Sequence, residues 1–186
     1  MLMNKVPEVI QELETNKGNI SLHNDSLHFI ALIAKAMKAK NVLEIGTFQG
    51  RSSLFLSLFA DNLTTLEINK ESAQTAKENF DKAGVHNIDL IQGDAREILK
   101  KLNKKFDIIL IDAKKSEYTE YLNLSLKLLN KNGIIFADNT ISHKNKMNNF
   151  FEFLRGSDLF YQELNLGKGL MLISRRFSFL KPGEIL

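Results

Sequence analysis

"FDIILIDAKK", residues 106–115, begins like a protein interior and ends like a surface. Phe106, Ile108, Ile109, Leu110 and Ile111 make a nearly unbroken apolar run. A strand covered on both faces reads this way, whereas a half-solvated strand alternates apolar with polar residues. The run stops at Asp112, with Lys114 and Lys115 just beyond. "GIIFADNT", residues 133–140, repeats the pattern and stops at Asp138 and Asn139. Two core strands that both end on acidic or amide groups imply one rim to which both deliver them.

The same alternation continues in both directions. "NVLEIG" (41–46) reads as a strand before the helix "RSSLFLSLFA", and "LTTLEI" (63–68) as a strand before "KESAQTAKENFDKAG", with Gly84 placed to end that helix. "NIDLIQ" (87–92) precedes a helix over "AREILKKL", and "FDIILI" precedes a helix over "YTEYLNLSLKLLNKNG" that closes at Gly133. "GIIFA" precedes a helix over "KMNNFFEFLRG", whose aromatic residues at helical spacing read as core. "LFYQELN" and "LMLISRR" have no helix between them and form a hairpin through "NLGKG" (165–169). The expected fold class is α/β: a Rossmann-like, doubly wound, mostly parallel sheet with a C-terminal antiparallel hairpin. The expected organisation is one domain over 1–186. A helical segment spans 1–40, with "SLHFIALIAKAMKAK" (26–40) capped by Asp25 or Ser26; the core spans 41–176 and a tail 177–186.

Composition narrows the function. The chain has 186 residues, 44% hydrophobic and 25% charged, enough for one well-cored domain. No apolar stretch is long enough to span a bilayer, and Glu8, Glu12 and Glu14 interrupt the start, so the expectation is a cytoplasmic protein with no membrane partner. Cysteine is absent, which removes disulfides, thiolate zinc sites and cysteine nucleophiles together. Any metal must be held by oxygen or imidazole, which favours a hard cation. A net charge of +3 permits a nucleic-acid partner without requiring one, and the lysines of "KKLNKK" (100–105) read as solvated surface.

In open α/β sheets ligands bind beyond the carboxyl ends of the strands. "VLEIGTFQG" (42–50) turns from the first strand into a helix through Gly46 and Gly50, and Ser52 lies in that helix's first turn. Glu67 ends the second strand about twenty residues later, where a carboxylate can accept both hydroxyls of a ribose. Asp94, in "QGDA" after the third strand, could accept from an adenine amino group. Each piece alone has an ordinary reading as a turn or a surface acid. Together they point to an adenosine-containing ligand. The NAD fingerprint needs three glycines as G-x-G-x-x-G, and here there are two, four residues apart.

In order along the chain, "VLEIGTFQGRSS", "LEIN", "QGDA", "FDIILIDAKKSEYTEYL", "GIIFADN" and "GKGLMLI" resemble the metal-dependent O-methyltransferases over about residues 25–176. That family includes catechol and caffeoyl-CoA O-methyltransferases and bacterial relatives, one of which methylates 5-hydroxyuridine in tRNA. The resemblance implies S-adenosylmethionine as cofactor. Glu44, Gly46, Phe48, Gly50 and Ser52 would lie toward its methionine end, Glu67 on its ribose, Asp94 and Ala95 at its adenine, with Asp112 also beside it. It implies Asp112, Asp138 and Asn139 as ligands of Mg²⁺ or another divalent cation, and Lys115 as the catalytic base. Lys114 receives no role, His143 remains an unassigned loop histidine, and His23 and His28 read as partly buried helix residues. The acceptor would be a metal-chelating, catechol-like small molecule, with tRNA the alternative. A non-catalytic S-adenosylmethionine- or RNA-binding module is the reading from another class. A homodimer contact through Arg175–Arg176 and the tail "FSFLKPGEIL" is left open by the sequence.

Overall fold

The computed structural model describes residues 5–15 and 22–175. The tail and Arg176 lie outside the described residues. Seven strands form one sheet: β1 Asn41–Ile45, β2 Asn62–Glu67, β3 Ile88–Gln92, β4 Phe106–Ile111, β5 Leu129–Asp138, β6 Leu159–Leu164 and β7 Leu170–Arg175, in the order β3-β2-β1-β4-β5-β7-β6. The helices are α1 Val6–Thr15, α2 Asn24–Met37, α3 Arg51–Ser57, α4 Lys70–Ala83, α5 Ala95–Lys101, α6 Tyr118–Leu128 and α7 Asn148–Arg155. The strands β1 to β5 pair parallel; β7 runs antiparallel to both β5 and β6, as the hairpin reading expects. The fold is the Rossmann-like α/β sheet.

The unbroken apolar runs are explained by the two faces of the sheet. Ile109 and Ile111 pack with Tyr118, Leu122 and Phe150 beneath α6 and α7. Their neighbours Ile108 and Leu110 pack with Leu27, Ile30 and Leu56 beneath α2 and α3. Successive strand side chains point to opposite faces, so a strand covered on both sides takes a polar residue only where a partner meets it or where it leaves the core. A third cluster joins Val6, Val9 and Leu13 of α1 to Leu54, Ala76 and Phe80. No helix among the described residues is long and apolar enough to cross a membrane.

Strand order reverses between β1 and β4. The chain winds outward from β1 through β2 to β3, then returns to lay β4 on the other side of β1. A crevice opens at such a switch point.

Local readings needed correction in three places; the first is that His23 and His28, read as partly buried helix residues, are both exposed, with His23 outside the helix as its cap. The helix expected over 118–133 ends at Leu128, and Leu129 already belongs to β5. Leu129 is buried opposite Phe106, and Asn130 Nδ2 donates to Asp107 Oδ1 at 2.6 Å, so pairing to β4 overrides the helical pattern. Gly133 lies inside β5 rather than ending a helix; a Cβ there would lie 3.0 Å from the Asp107 carbonyl. In α2 the cap is neither Asp25 nor Ser26 but His23, whose Nδ1 accepts from Asp25 N–H at 3.3 Å. The helix then stops at Met37 because Lys38 adopts a left-handed conformation, and the Lys38 N–H donates back to the Lys35 carbonyl.

Candidate functional site

A cavity of about 550 Å³ occupies the switch-point crevice, bounded by the carboxyl ends of β1, β2, β4 and β5 and the loops that follow them. It extends from Glu67 and Ile68 at one end to Asp138, Asn139 and His143 at the other.

Its first wall is the β1–α3 turn. Gly46 has φ +101, and a Cβ there would lie 2.2 Å from the Asp112 carbonyl oxygen. Only glycine lets the ends of β1 and β4 come this close. Thr47 and Phe48 then present their N–H groups to Glu67 Oε2 at 3.1 and 2.7 Å, while Asn69 N–H donates to Oε1 at 2.8 Å. Three backbone donors thus fix the Glu67 carboxylate at the end of β2, facing the cavity. Ile68, the next residue, is 66% exposed and offers the cavity an apolar surface.

At the other end, β4 delivers Asp112 and β5 delivers Asp138. Lys115 Nζ donates to Asp112 Oδ1 and to Tyr118 Oη, both at 2.9 Å, and Tyr118 Oη donates to the Ile111 carbonyl at 3.1 Å. Burial, with the charges of Asp112 and Asp138, keeps the Tyr118 phenol protonated well above its ordinary range. Lys115 is therefore held by its neighbours with its side chain 14% exposed, while the Lys114 side chain is 71% exposed and pairs with Glu117. Asp138 is 1% exposed, and its Oδ1 meets no hydrogen-bond partner among the described residues. Burial, and then the Asp112 carboxylate, push the Asp138 carboxyl up to about 7. Asn139 takes a left-handed conformation at φ +64, which lets the chain turn sharply off the strand end.

These donors suit a hard cation. No group of three or more His, Cys, Asp or Glu side chains gathers among the described residues, as a site built from such side chains alone would need. Instead there are two carboxylates and an amide, the oxygen set of Mg²⁺ or a similar ion. Two carboxylates facing each other, one with a buried unpartnered oxygen, are costly unless protonated or joined by positive charge.

Gly46, Phe48, Ser52, Glu67, Ala95, Asp112, Lys115, Asp138 and Asn139 line this cavity. Glu44, Gly50 and Asp94 are not among its lining residues. Glu44 is fully buried between β1 and α3, where it accepts from Ser52, Ser53 and, at 2.8 Å, Thr65. Burial pushes its carboxyl up to about 7 even so. Gly50 makes room for the Phe80 ring, 2.3 Å from where a Cβ would sit. Asp94 caps α5 through Arg96 N–H at 2.9 Å and pairs with the Arg96 guanidinium at 2.6 Å, which holds its carboxyl below the usual range. Reasoning from sequence missed Ile68, Tyr118 and Lys168. Ile68 had a signal, an apolar residue immediately beyond a strand-ending acid; the other two had none in their local pattern.

Residues 1–150 match the profile of the O-methyltransferase family. The chain is 36% identical to catechol O-methyltransferase from Niastella koreensis over 136 residues, 69% of this chain and 62% of that one. It spans about three fifths of the length of the curated relatives it matches. Among solved structures it resembles the S-adenosylhomocysteine-bound methyltransferase PaMTH1 of Podospora anserina, with a TM-score of 0.85 at 24% identity over 94% of this chain and 88% of that one. It also resembles the O-methyltransferase TomG of Streptomyces achromogenes in complex with S-adenosylmethionine, with a TM-score of 0.78 at 25% identity over 92% and 87% of the two chains. With the family profile covering most of its length, the chain belongs to the O-methyltransferase family.

Proposed function

We propose that this protein transfers the methyl group of S-adenosylmethionine to a hydroxyl of a small acceptor carrying two adjacent oxygens, with a divalent cation held by Asp112, Asp138 and Asn139. The observation that carries this reading is the unpartnered buried oxygen of Asp138, in one cavity with Asp112 and a positioned Lys115. A cation there supplies charge that lowers the acceptor's hydroxyl pKa and fixes the orientation of its oxygens.

The chain's own residues do the rest. Glu67, held by three N–H groups, takes one ribose hydroxyl on the lone pair left on Oε1, and the second in exchange for a backbone donor. Ile68 covers one face of the adenine, and Asp94, which takes two Arg96 donors on Oδ1 and one on Oδ2, has a lone pair left on Oδ2 for the adenine amino group. Gly46 lets the ends of β1 and β4 close together, which sets the wall of the cavity where the methionine end would lie. Tyr118 Oη and Asp112 Oδ1 orient Lys115 Nζ, which in its neutral form takes the hydroxyl proton. The acceptor oxygen attacks the methyl carbon, the carbon–sulfur bond breaks, and its electron pair returns to sulfur. The products are a methyl ether and S-adenosylhomocysteine. Holding both reactants in line supplies much of the acceleration. The name of the Niastella relative supports a small phenolic acceptor over tRNA.

The test is transfer of labelled methyl groups to catechols, hydroxycinnamoyl esters and hydroxylated tRNA, with Mg²⁺ or with chelator. Transfer to a catechol that chelator abolishes is expected. Equal transfer in chelator returns Asp112 and Asp138 to structural roles. Cofactor binding without turnover of any acceptor makes the protein a binding module.

A further inference from the structure

The turn between β6 and β7, residues 165–169, reaches the cavity from far along the chain and is clamped on two sides. The Lys168 carbonyl accepts from Ile141 and Ser142 N–H at 3.2 and 3.0 Å, and the Gly169 carbonyl accepts from Thr140 N–H at 3.1 Å. Gly167 and Gly169 both have positive φ. A Cβ on the first would lie 2.5 Å from His23 Cβ, and on the second 2.3 Å from the Ile141 nitrogen. The backbone of Lys168 is thus set between two close approaches that only glycine permits.

Its side chain lines the same cavity as Asp112, Asp138 and Lys115, and its charge acts on both Asp138 and His143. The other lysines and arginines that line the cavity are already engaged: Lys114 with Glu117 at 2.8 Å, Arg96 with Asp94 at 2.6 Å, Lys115 with Asp112 at 2.9 Å and Arg51 with Glu14 at 2.6 Å. The Lys168 ammonium makes no hydrogen bond or ion pair to any described residue. A dication at Asp112 and Asp138 neutralises those two carboxylates. The acceptor side then carries a positive charge that the protein does not balance, and such a cleft favours a ligand bearing the opposite sign.

We propose that Lys168 selects acceptors carrying a carboxylate, an acidic aromatic diol, over neutral and cationic diols. This rests on the diol-methylating reading above. Lys168 acts as a specificity-determining residue through binding, remote from the bonds that change. A single ammonium on a flexible stem suits a carboxylate as a point charge rather than through a bidentate fork.

The test compares protocatechuate, catechol and dopamine as acceptors for the full chain with Mg²⁺, in wild type, Lys168→Ala and Lys168→Glu. Wild type should favour protocatechuate over dopamine. Lys168→Glu should shift the ratio of their kcat/KM values by about tenfold or more, chiefly through KM, as expected for a charge-assisted contact in a cleft. Lys168→Ala should fall between. Calorimetry of protocatechuate and catechol binding, with Mg²⁺ and S-adenosylhomocysteine present, should give the same order without turnover. Methylation of all three diols at ratios that Lys168→Glu leaves unchanged overturns the role of Lys168 and leaves the diol reading standing. Neither binding nor turnover of any of the three overturns the diol reading, and this inference with it.

Discussion

At the Glu67 end of the cavity a buried carboxylate receives three backbone N–H groups; at the Asp138 end a more deeply buried carboxylate has an oxygen that receives none from the described residues. The first is finished by the protein itself. Its donors come from the β1–α3 turn and the start of the β2–α4 connection, both within a few residues of their strand ends. The second is buried at the end of β5, where burial and the neighbouring negative charge of Asp112 outweigh the Asn139 N–H and the charges of Lys115 and Lys168. A group satisfied by backbone donors is ready to bind without rearrangement. A group left unsatisfied in low dielectric is stable only as the acid or beside positive charge, so its ionisation is tied to what it binds.

Asp138→Asn breaks this comparison most strongly. The side-chain shape is kept and the charge removed. Methyl transfer in saturating Mg²⁺ should fall by about a thousandfold, the several kcal/mol a metal supplies to such a reaction. Chelator-treated protein should melt no lower than wild type, since an unsatisfied buried carboxylate has been replaced. A chelator-treated variant that melts well below wild type would show that Asp138 supports the fold.

Stability against pH sharpens it next. Glu44 and Asp138 both have carboxyls raised to about 7, from 4.5 and 3.8 respectively. In each case the folded chain holds a proton that the unfolded chain has lost. Their contribution to stability is therefore fully present at low pH and is lost as pH rises across that window, about 3 kcal/mol for Glu44 and about 4 kcal/mol for Asp138. Mg²⁺ should remove the contribution of Asp138 and leave that of Glu44, which is walled in by hydroxyl donors. Urea titrations between pH 4.5 and 7.5, with and without Mg²⁺, separate the two; Glu44→Gln should flatten the slope that Mg²⁺ leaves. A slope in Mg²⁺ that survives Glu44→Gln refutes the assignment.

Lys115→Ala tests the chemistry at the unsatisfied end. It should lower kcat by about a hundredfold, the usual scale for a positioned base, with cofactor affinity retained. Raising pH should restore part of the rate. Lys114→Ala, whose side chain points to solvent, should do far less, and equal losses in the two variants would remove the role given to Lys115.

The finished end answers to Glu67→Ala. Loss of contacts to a charged acceptor should weaken S-adenosylmethionine binding by about 1.5–3 kcal/mol in calorimetry. Unchanged affinity in a folded variant would remove Glu67 from the site. Mg²⁺ should not alter this loss, because no cation ligand lies at that end.

Much of this arrangement is legible in the chain because its signals are local. Apolar runs that stop at Glu67, Asp112 and Asp138 state where strands leave the core, and positive-φ turns at Gly46 and Gly84 state where the chain reverses. Where local pattern misled, a partner remote in sequence decided. Helical spacing carried the expected helix to Gly133, but Leu129 and Asn130 found Phe106 and Asp107 in the neighbouring strand. Asp94 sits among ligand-binding signals, yet its carboxylate caps α5 and pairs with Arg96. Gly50 reads as a ligand approach and serves Phe80 of α4.

The sequence by itself determined the alternating strands and helices, the parallel sheet with its terminal hairpin, and the strand ends that bear acidic groups. Periodicity, turn residues and the exit of a strand from the core are properties of neighbouring positions, so they can be read without coordinates. Only the tertiary structure decided which of those polar groups are satisfied. Glu44 meets three hydroxyls, two of them across the β1–α3 turn and one from β2; Asp138 meets the charge of Asp112 from the adjacent strand; Lys168 reaches the same cavity, and the field of Asp138, from a hairpin some thirty residues beyond it. Hydrogen-bond satisfaction and charge balance depend on atoms brought together by folding, and no spacing along the chain encodes them.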